Sequence, residues 1–157
     1  HWSVTPDILL TSKGTAGGYF PLGWIAAAGS DVSQIQQVLG DFNHGGTYSH
    51  HAVGAAAGLA TLHIIQQENL VENAATLGPY LEQKLHHAFA EHPAADHIAT
   101  RIVDRAFELG LIAYYSQGCA DGVNGDLVML GPPLIINEGQ IEEMVGMLET
   151  AVSDILP

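Results

Sequence analysis

The run Asp7-Ile8-Leu9-Leu10-Thr11-Ser12-Lys13-Gly14-Thr15-Ala16-Gly17-Gly18-Tyr19-Phe20-Pro21-Leu22-Gly23 constrains this chain more than any other stretch. Ile8 to Leu10 reads as a short buried strand, ended at once by turn-forming residues. Three of the five residues after Lys13 are glycine, so the backbone there tolerates positive φ and lets other groups come close. Lys13 is one of only four basic residues in the chain. At the mouth of a strand, facing a glycine loop, it is better placed for a desolvated pocket than for a surface ion pair. In such a pocket an amine gives up its proton more readily and attacks a carbonyl. A solvated lysine at a strand end is the plainer alternative.

A second polar stretch, His44-Gly45-Gly46-Thr47-Tyr48-Ser49-His50-His51, stands just before a helix that begins at Ala52-Val53. A helix N-terminus presents unpaired N–H groups and a partial positive charge, and Thr47 and Ser49 add hydroxyls. That combination suits a phosphate. Simple N-capping by Ser49 is the alternative.

The remaining pattern alternates strands and helices, which predicts an α/β chain. Trp24 to Ala28 reads as a second apolar strand, followed by a helix from Ser30 or Asp31 that carries Val32, Ile35, Val38 and Leu39 and closes at Gly40. The helix from Ala52 to Ile65 is dense in small residues and is expected to be deeply packed or to lie at a subunit interface. Val71 to Glu91 reads as a helix with a kink or break at Gly78-Pro79. Asp96 is placed to cap the next helix, which turns Ile98, Ile102, Val103, Ala106 and Leu109 inward. Strands follow at 111–115 and 127–130. Asn137 with Gln140 then forms a capping box for a last helix striped with Ile141, Met144, Val145, Leu148, Val152 and Ile155.

Composition narrows the function. With 17 acidic and four basic residues in 157, the formal charge of −13 repels phosphate backbones and argues against nucleic-acid or anionic-membrane partners. The longest apolar stretch, 52–65, is too short and too rich in alanine and glycine to span a bilayer. A single cysteine, Cys119, allows no disulfide within the chain and points to a reducing cytoplasm. The nine histidines are scattered, with none paired at helical spacing, so no metal site is expected. The loop 121–126 has the flavour of a calcium loop, but Pro132 stands where the closing glutamate is needed.

The two polar motifs in this order, Ser12-Lys13-Gly14 with Gly17-Gly18-Tyr19-Phe20-Pro21-Leu22-Gly23 and then His44-Gly45-Gly46-Thr47-Tyr48-Ser49-His50-His51, resemble the class III, or omega, aminotransferases. Leu70-Val71-Glu72-Asn73-Ala74 and Leu130-Gly131-Pro132-Pro133-Leu134 are similar to later segments of that family. The resemblance implies the three-layer sandwich of the aspartate-aminotransferase fold and the cofactor pyridoxal 5'-phosphate. It implies that Lys13 holds the cofactor as a Schiff base and moves the proton during transfer. It implies that Thr47 binds the cofactor phosphate, in this family usually across a homodimer, so that the site is shared. His44, Tyr48 and His51 fall on motif positions whose implied roles are structural. Residues 1–70 would be the end of the large cofactor-binding domain, and 71–157 a shortened small domain.

The implied reaction moves an amino group from an amine or omega-amino acid to a 2-oxo acid such as pyruvate. An aminomutase of the same superfamily and a non-catalytic remnant that keeps only packing or dimerisation surfaces remain as alternatives. In the family, the aspartate facing the pyridine nitrogen, the ring-stacking aromatic and a glycine-rich phosphate loop lie upstream of the lysine, ahead of His1. The chain is therefore read as a C-terminal part. Between Glu91 and Ile98 the family has a strand pair of a few tens of residues that is nearly gone here. No arginine falls in 114–118 to hold a substrate carboxylate. Arg101 and Arg105 are expected to pair on the surface with Asp104 or Glu108.

Overall fold

β1 (Ile8–Thr11) and β2 (Trp24–Ala27) form an antiparallel pair, with Ile8 opposite Ala27 and Thr11 opposite Trp24. The computed structural model describes residues 3–41, 43–92 and 97–156, and the chain divides into two units, His1–Glu68 and Asn69–Pro157.

In the first unit a single 3₁₀ turn, Lys13–Ala16, follows β1, and helices α1 (Gly29–Leu39) and α2 (Ala52–Gln67) complete it. Gly40 ends α1 in the left-handed conformation, φ +78°, donating its N–H to the Gln36 carbonyl. The elements stand where the sequence puts them, but the burial does not. The strand expected to be buried is exposed, Leu10 at 69%, and α1 leaves Val38 82% exposed. Among the described residues of this unit only Ala16, Gly54 and Gly58 are buried. A two-stranded ribbon has two faces, and each needs a covering layer that this unit does not supply.

The second unit has the core. α3 (Leu70–Phe89), α4 (Ala99–Glu108) and α5 (Glu138–Ile155) pack together, with α5 against both others. Leu77, Ile141 and Val145 fill one end, and Ile102, Leu111, Met144, Leu148 and Val152 the other. Ala106 and Ala151, both fully buried in the second cluster, let α4 and α5 come close. The short pair β3 (Tyr114–Ser116) and β4 (Leu127–Met129) is antiparallel, Tyr114 opposite Met129. Helix α3 runs through Pro79 as one helix, so of the kink or break expected there the break does not occur. Pro79 forfeits one backbone bond, which the packing of Leu70 and Leu77 outweighs.

The capping box on α5 is formed as expected: the Asn137 side chain accepts from Gln140 N–H at 3.0 Å, and Asn137 N–H donates to Gln140 Oε1 at 3.1 Å. Asp96, the expected cap of α4, lies outside the described residues. Among the described residues the N-terminal end of α4 is held by Asp126, whose Oδ2 accepts from the N–H groups of Ile98 and Ala99, each at 2.6 Å. Those bonds, Ala99's first, hold its carboxyl below the usual carboxylate range despite partial desolvation. Arg105 pairs with Glu108 as expected and also with Asp154, both at 2.8 Å. Lys84 bonds Glu142 at 2.7 Å. No helix among the described residues is long and apolar enough to cross a membrane.

Candidate active site

β1 carries the chain into Ser12, whose backbone is extended, and then directly into Lys13, whose backbone is left-handed at φ +54°. That region is uncommon for a residue with a Cβ. The turn is closed by Thr15 N–H to Ser12 O (3.3 Å) and Gly17 N–H to Gly14 O (2.9 Å), with Gly17 itself left-handed. Thr15 Oγ1 also donates to Ser12 O at 3.0 Å and lies 2.7 Å from Thr11 Oγ1.

The turn is seated on α2 through that helix's small residues. A Cβ at Gly54 would stand 2.8 Å from Phe20 Cε1, and one at Gly58 2.6 Å from Leu22 Cδ2. Glycine at these two positions therefore makes room for Phe20 and Leu22. Deep packing was one of the two expectations for this helix, and it holds along the Gly54–Gly58 face. Val53, Leu59, Leu62 and Ile64 on the other faces are exposed.

His51 joins the two motifs. Its ring stacks on Phe20, centroids 5.0 Å apart, while its Nδ1 accepts the Gly54 N–H at 3.3 Å and so caps α2. Capping by Ser49 was the alternative reading of this segment. The Ser49 hydroxyl instead accepts the Gly46 N–H at 2.7 Å, and its own N–H donates to Gly46 O. The 44–49 segment is thus a turn closed on itself, with Thr47 exposed on it and His50 left-handed at φ +61°.

Lys13 and Thr47 lie in the same unit but are joined by no hydrogen bond among the described residues; their link runs through Phe20 and His51. Lys13 is exposed. The desolvated pocket expected around it is not formed among the described residues of the first unit. What the unit offers is an amine on a fixed turn whose neighbouring backbone is open: a Cβ at Gly14 or Gly18 would meet nothing within 4 Å. Among the described residues no group of His, Cys, Asp or Glu could hold a metal ion.

The family described as Aminotransferase class-III matches residues 1–152. The chain belongs to the class III aminotransferases. The diaminobutyrate–2-oxoglutarate transaminase of Halomonas elongata is 31% identical to this aminotransferase chain over 99% of the chain and 38% of its own length. A Bacillus anthracis aminotransferase superposes with a TM-score of 0.85 at 26% identity, over 98% of this chain and 40% of that one. The PMP-bound form of the Vibrio fluvialis aminotransferase gives 0.79 at 25% identity, over 98% and 39%. The chain thus shares the transaminase fold along its length and spans about two-fifths of the relatives it matches.

Against that family's cofactor, the donor set fits. Pyridoxal phosphate needs an amine for its aldehyde and hydroxyl or N–H donors for its phosphate, and Lys13 and Thr47 are of those kinds. The bare backbone at Gly14 and Gly18 leaves a ring room to approach.

Proposed function

We propose that this chain is the lysine-bearing part of a pyridoxal-phosphate-dependent aminotransferase that moves an amino group from an amine or omega-amino acid to a 2-oxo acid such as pyruvate. The donor would leave as a carbonyl compound and the acceptor as an amino acid, so no outside oxidant is consumed. The observation that carries the reading is Lys13 itself: an exposed lysine held in a left-handed backbone at the exact junction of strand and glycine turn. Strained backbone of this kind persists where surrounding structure imposes it, and it clusters at functional sites. The H. elongata relative's name, with a diamino acid donor and 2-oxoglutarate as acceptor, supports the substrate classes.

The bound cofactor would supply an electron sink for the bond-breaking at the donor carbon. Lys13 would hold the aldehyde through its Nζ and, once displaced by the donor amine, carry the proton between the donor carbon and the cofactor. Thr47 would donate its hydroxyl to the phosphate, from the second subunit of a homodimer. The exposed apolar side of α2 and the exposed faces of β1 supply surfaces for such a partner and for the remainder of a large domain. In this reading residues 1–70 end the large domain, 71–157 form a shortened small domain, and the protein works in the cytoplasm, where Cys119 stays reduced.

The exposure of Lys13 favours a second reading, a remnant that keeps the fold without catalysis. One experiment separates them. The protein is incubated with pyridoxal phosphate, reduced with borohydride, digested and mapped by mass. Transfer chemistry requires the adduct on the peptide carrying Lys13, absent in Lys13→Ala; an unlabelled Lys13 leaves the remnant.

A further inference from the structure

We propose that Thr15, bridged to Thr11, is a positioning residue that fixes the backbone of Lys13 for its reaction. The proposal rests on Lys13 being the reactive amine. It starts from a hydrogen-bond chain with a fixed direction. The Thr15 hydroxyl has one proton, and it goes to the Ser12 carbonyl at 3.0 Å. At 2.7 Å from Thr15 Oγ1, the Thr11 hydroxyl must therefore be the donor between the two. The order runs Thr11 to Thr15 to the carbonyl of Ser12.

That carbonyl belongs to the peptide plane entering Lys13, so its orientation sets one side of the Lys13 φ rotation. It accepts twice from the same residue, from Thr15 N–H at 3.3 Å as well as from the hydroxyl. The plane that leaves Gly14 is held by Gly17 N–H on Gly14 O at 2.9 Å. Lys13 thus sits between two pinned stretches of backbone. The outer anchor is rigid, because Thr11 is paired with Trp24 in the β ladder. The side of the turn that faces β2 is filled: a Cβ at Gly23 would stand 3.0 Å from the Thr11 carbonyl oxygen and 3.5 Å from Ser12 Cβ. The open side is the one with Gly14 and Gly18, where a ligand has access. Without the Thr15 hydroxyl, Ser12 O keeps only the longer backbone bond, and Lys13 is free to relax to negative φ, carrying its amine elsewhere.

The test uses Thr15→Val, which keeps the shape and removes the hydroxyl, Thr15→Ser, which restores it, and Thr11→Val, which removes only the outer donor. Two readouts are taken on each. The first needs no cofactor: the three-bond HN–Hα coupling and the carbon shifts of Lys13 by NMR, which report its φ. The second is the rate and pH profile of borohydride trapping of pyridoxal phosphate on Lys13. Wild type and Thr15→Ser should share a left-handed Lys13 and one trapping profile. Thr15→Val should lose the left-handed signature and trap about tenfold more slowly or worse, with Thr11→Val between. Should Thr15→Val not fold, Thr11→Val carries the same comparison. A wild type that is never trapped on Lys13 overturns the functional reading and this proposal with it. Trapping in wild type with unchanged coupling and rate in the valine variants overturns the positioning role alone.

Discussion

Replacing Lys13 by glycine should stabilise the first unit while destroying the site. Lys13 holds φ +54°, where a Cβ crowds the following carbonyl at a cost of about 1–2 kcal/mol. Glycine escapes that cost but gives up more backbone freedom on folding, about 0.5–1 kcal/mol. Taking the middle of each range, the difference favours Lys13→Gly by about 0.75 kcal/mol over the wild type, whereas Lys13→Ala keeps the Cβ and gains nothing. The assay has a built-in address. Both tryptophans, Trp2 and Trp24, fall in His1–Glu68, so tryptophan fluorescence follows the first unit alone. With a urea dependence of about 1 kcal/mol per molar for so small a piece, the midpoint should rise by roughly 0.5–1 M. Lys13→Ala should stay near the wild type. A glycine variant no more stable than the alanine variant would refute the claim that this backbone is strained, and with it the main support for a functional lysine.

Two further outcomes concern the second unit, followed by far-UV circular dichroism in urea. Ile141, 1% exposed between α3 and α5, should cost about 2–5 kcal/mol as Ile141→Ala and about 1 kcal/mol as Ile141→Val, and equal losses for the two would contradict close packing there. Asp126 has a folded-state carboxyl below its unfolded value of about 3.9, so its contribution is complete above that pH and is lost as pH falls through the folded value. Asp126→Asn should therefore lie below the wild type near neutral pH, with the gap narrowing as pH falls below the unfolded value; a gap independent of pH would show that the carboxylate's charge contributes nothing.

The second unit was legible because its signals are local. Asn137 and Gln140 stand three apart, and the caps and stripe of α5 need nothing beyond the helix itself. The part Asp126 plays at α4 was not legible, because it reaches the Ile98 and Ala99 N–H groups from a loop 28 and 27 residues away. Sequence reasoning looks for a cap just before the helix, and tertiary structure can deliver one from anywhere that ends at the same four N–H groups. Pro79 does not break α3 for a related reason: a proline costs a helix a bond, yet the helix is held before it by the buried Leu70 and Leu77 and after it by Leu81 and Leu85, which pack on the core.

The first unit shows the opposite balance. Its strands, helices and lysine turn were read correctly, since glycine turns and short apolar runs mark themselves, yet the burial expected of its first strand is not there. Apolar character says that a surface is to be covered; it does not say by which chain. Ile8, Leu10 and Leu59 satisfy the pattern of a core and remain open. The same distinction explains the site. Residue types gave the amine and the hydroxyl, because chemistry resides in side chains, but the dry surroundings are a property of whatever lies over the turn. What the sequence could not reveal is the Thr11–Thr15 bridge, four residues apart across a change from strand to 3₁₀ turn, where neither a two-residue nor a helical period applies. A hydroxyl pair at that spacing, straddling a lysine before a glycine loop, is the signal to look for in related chains.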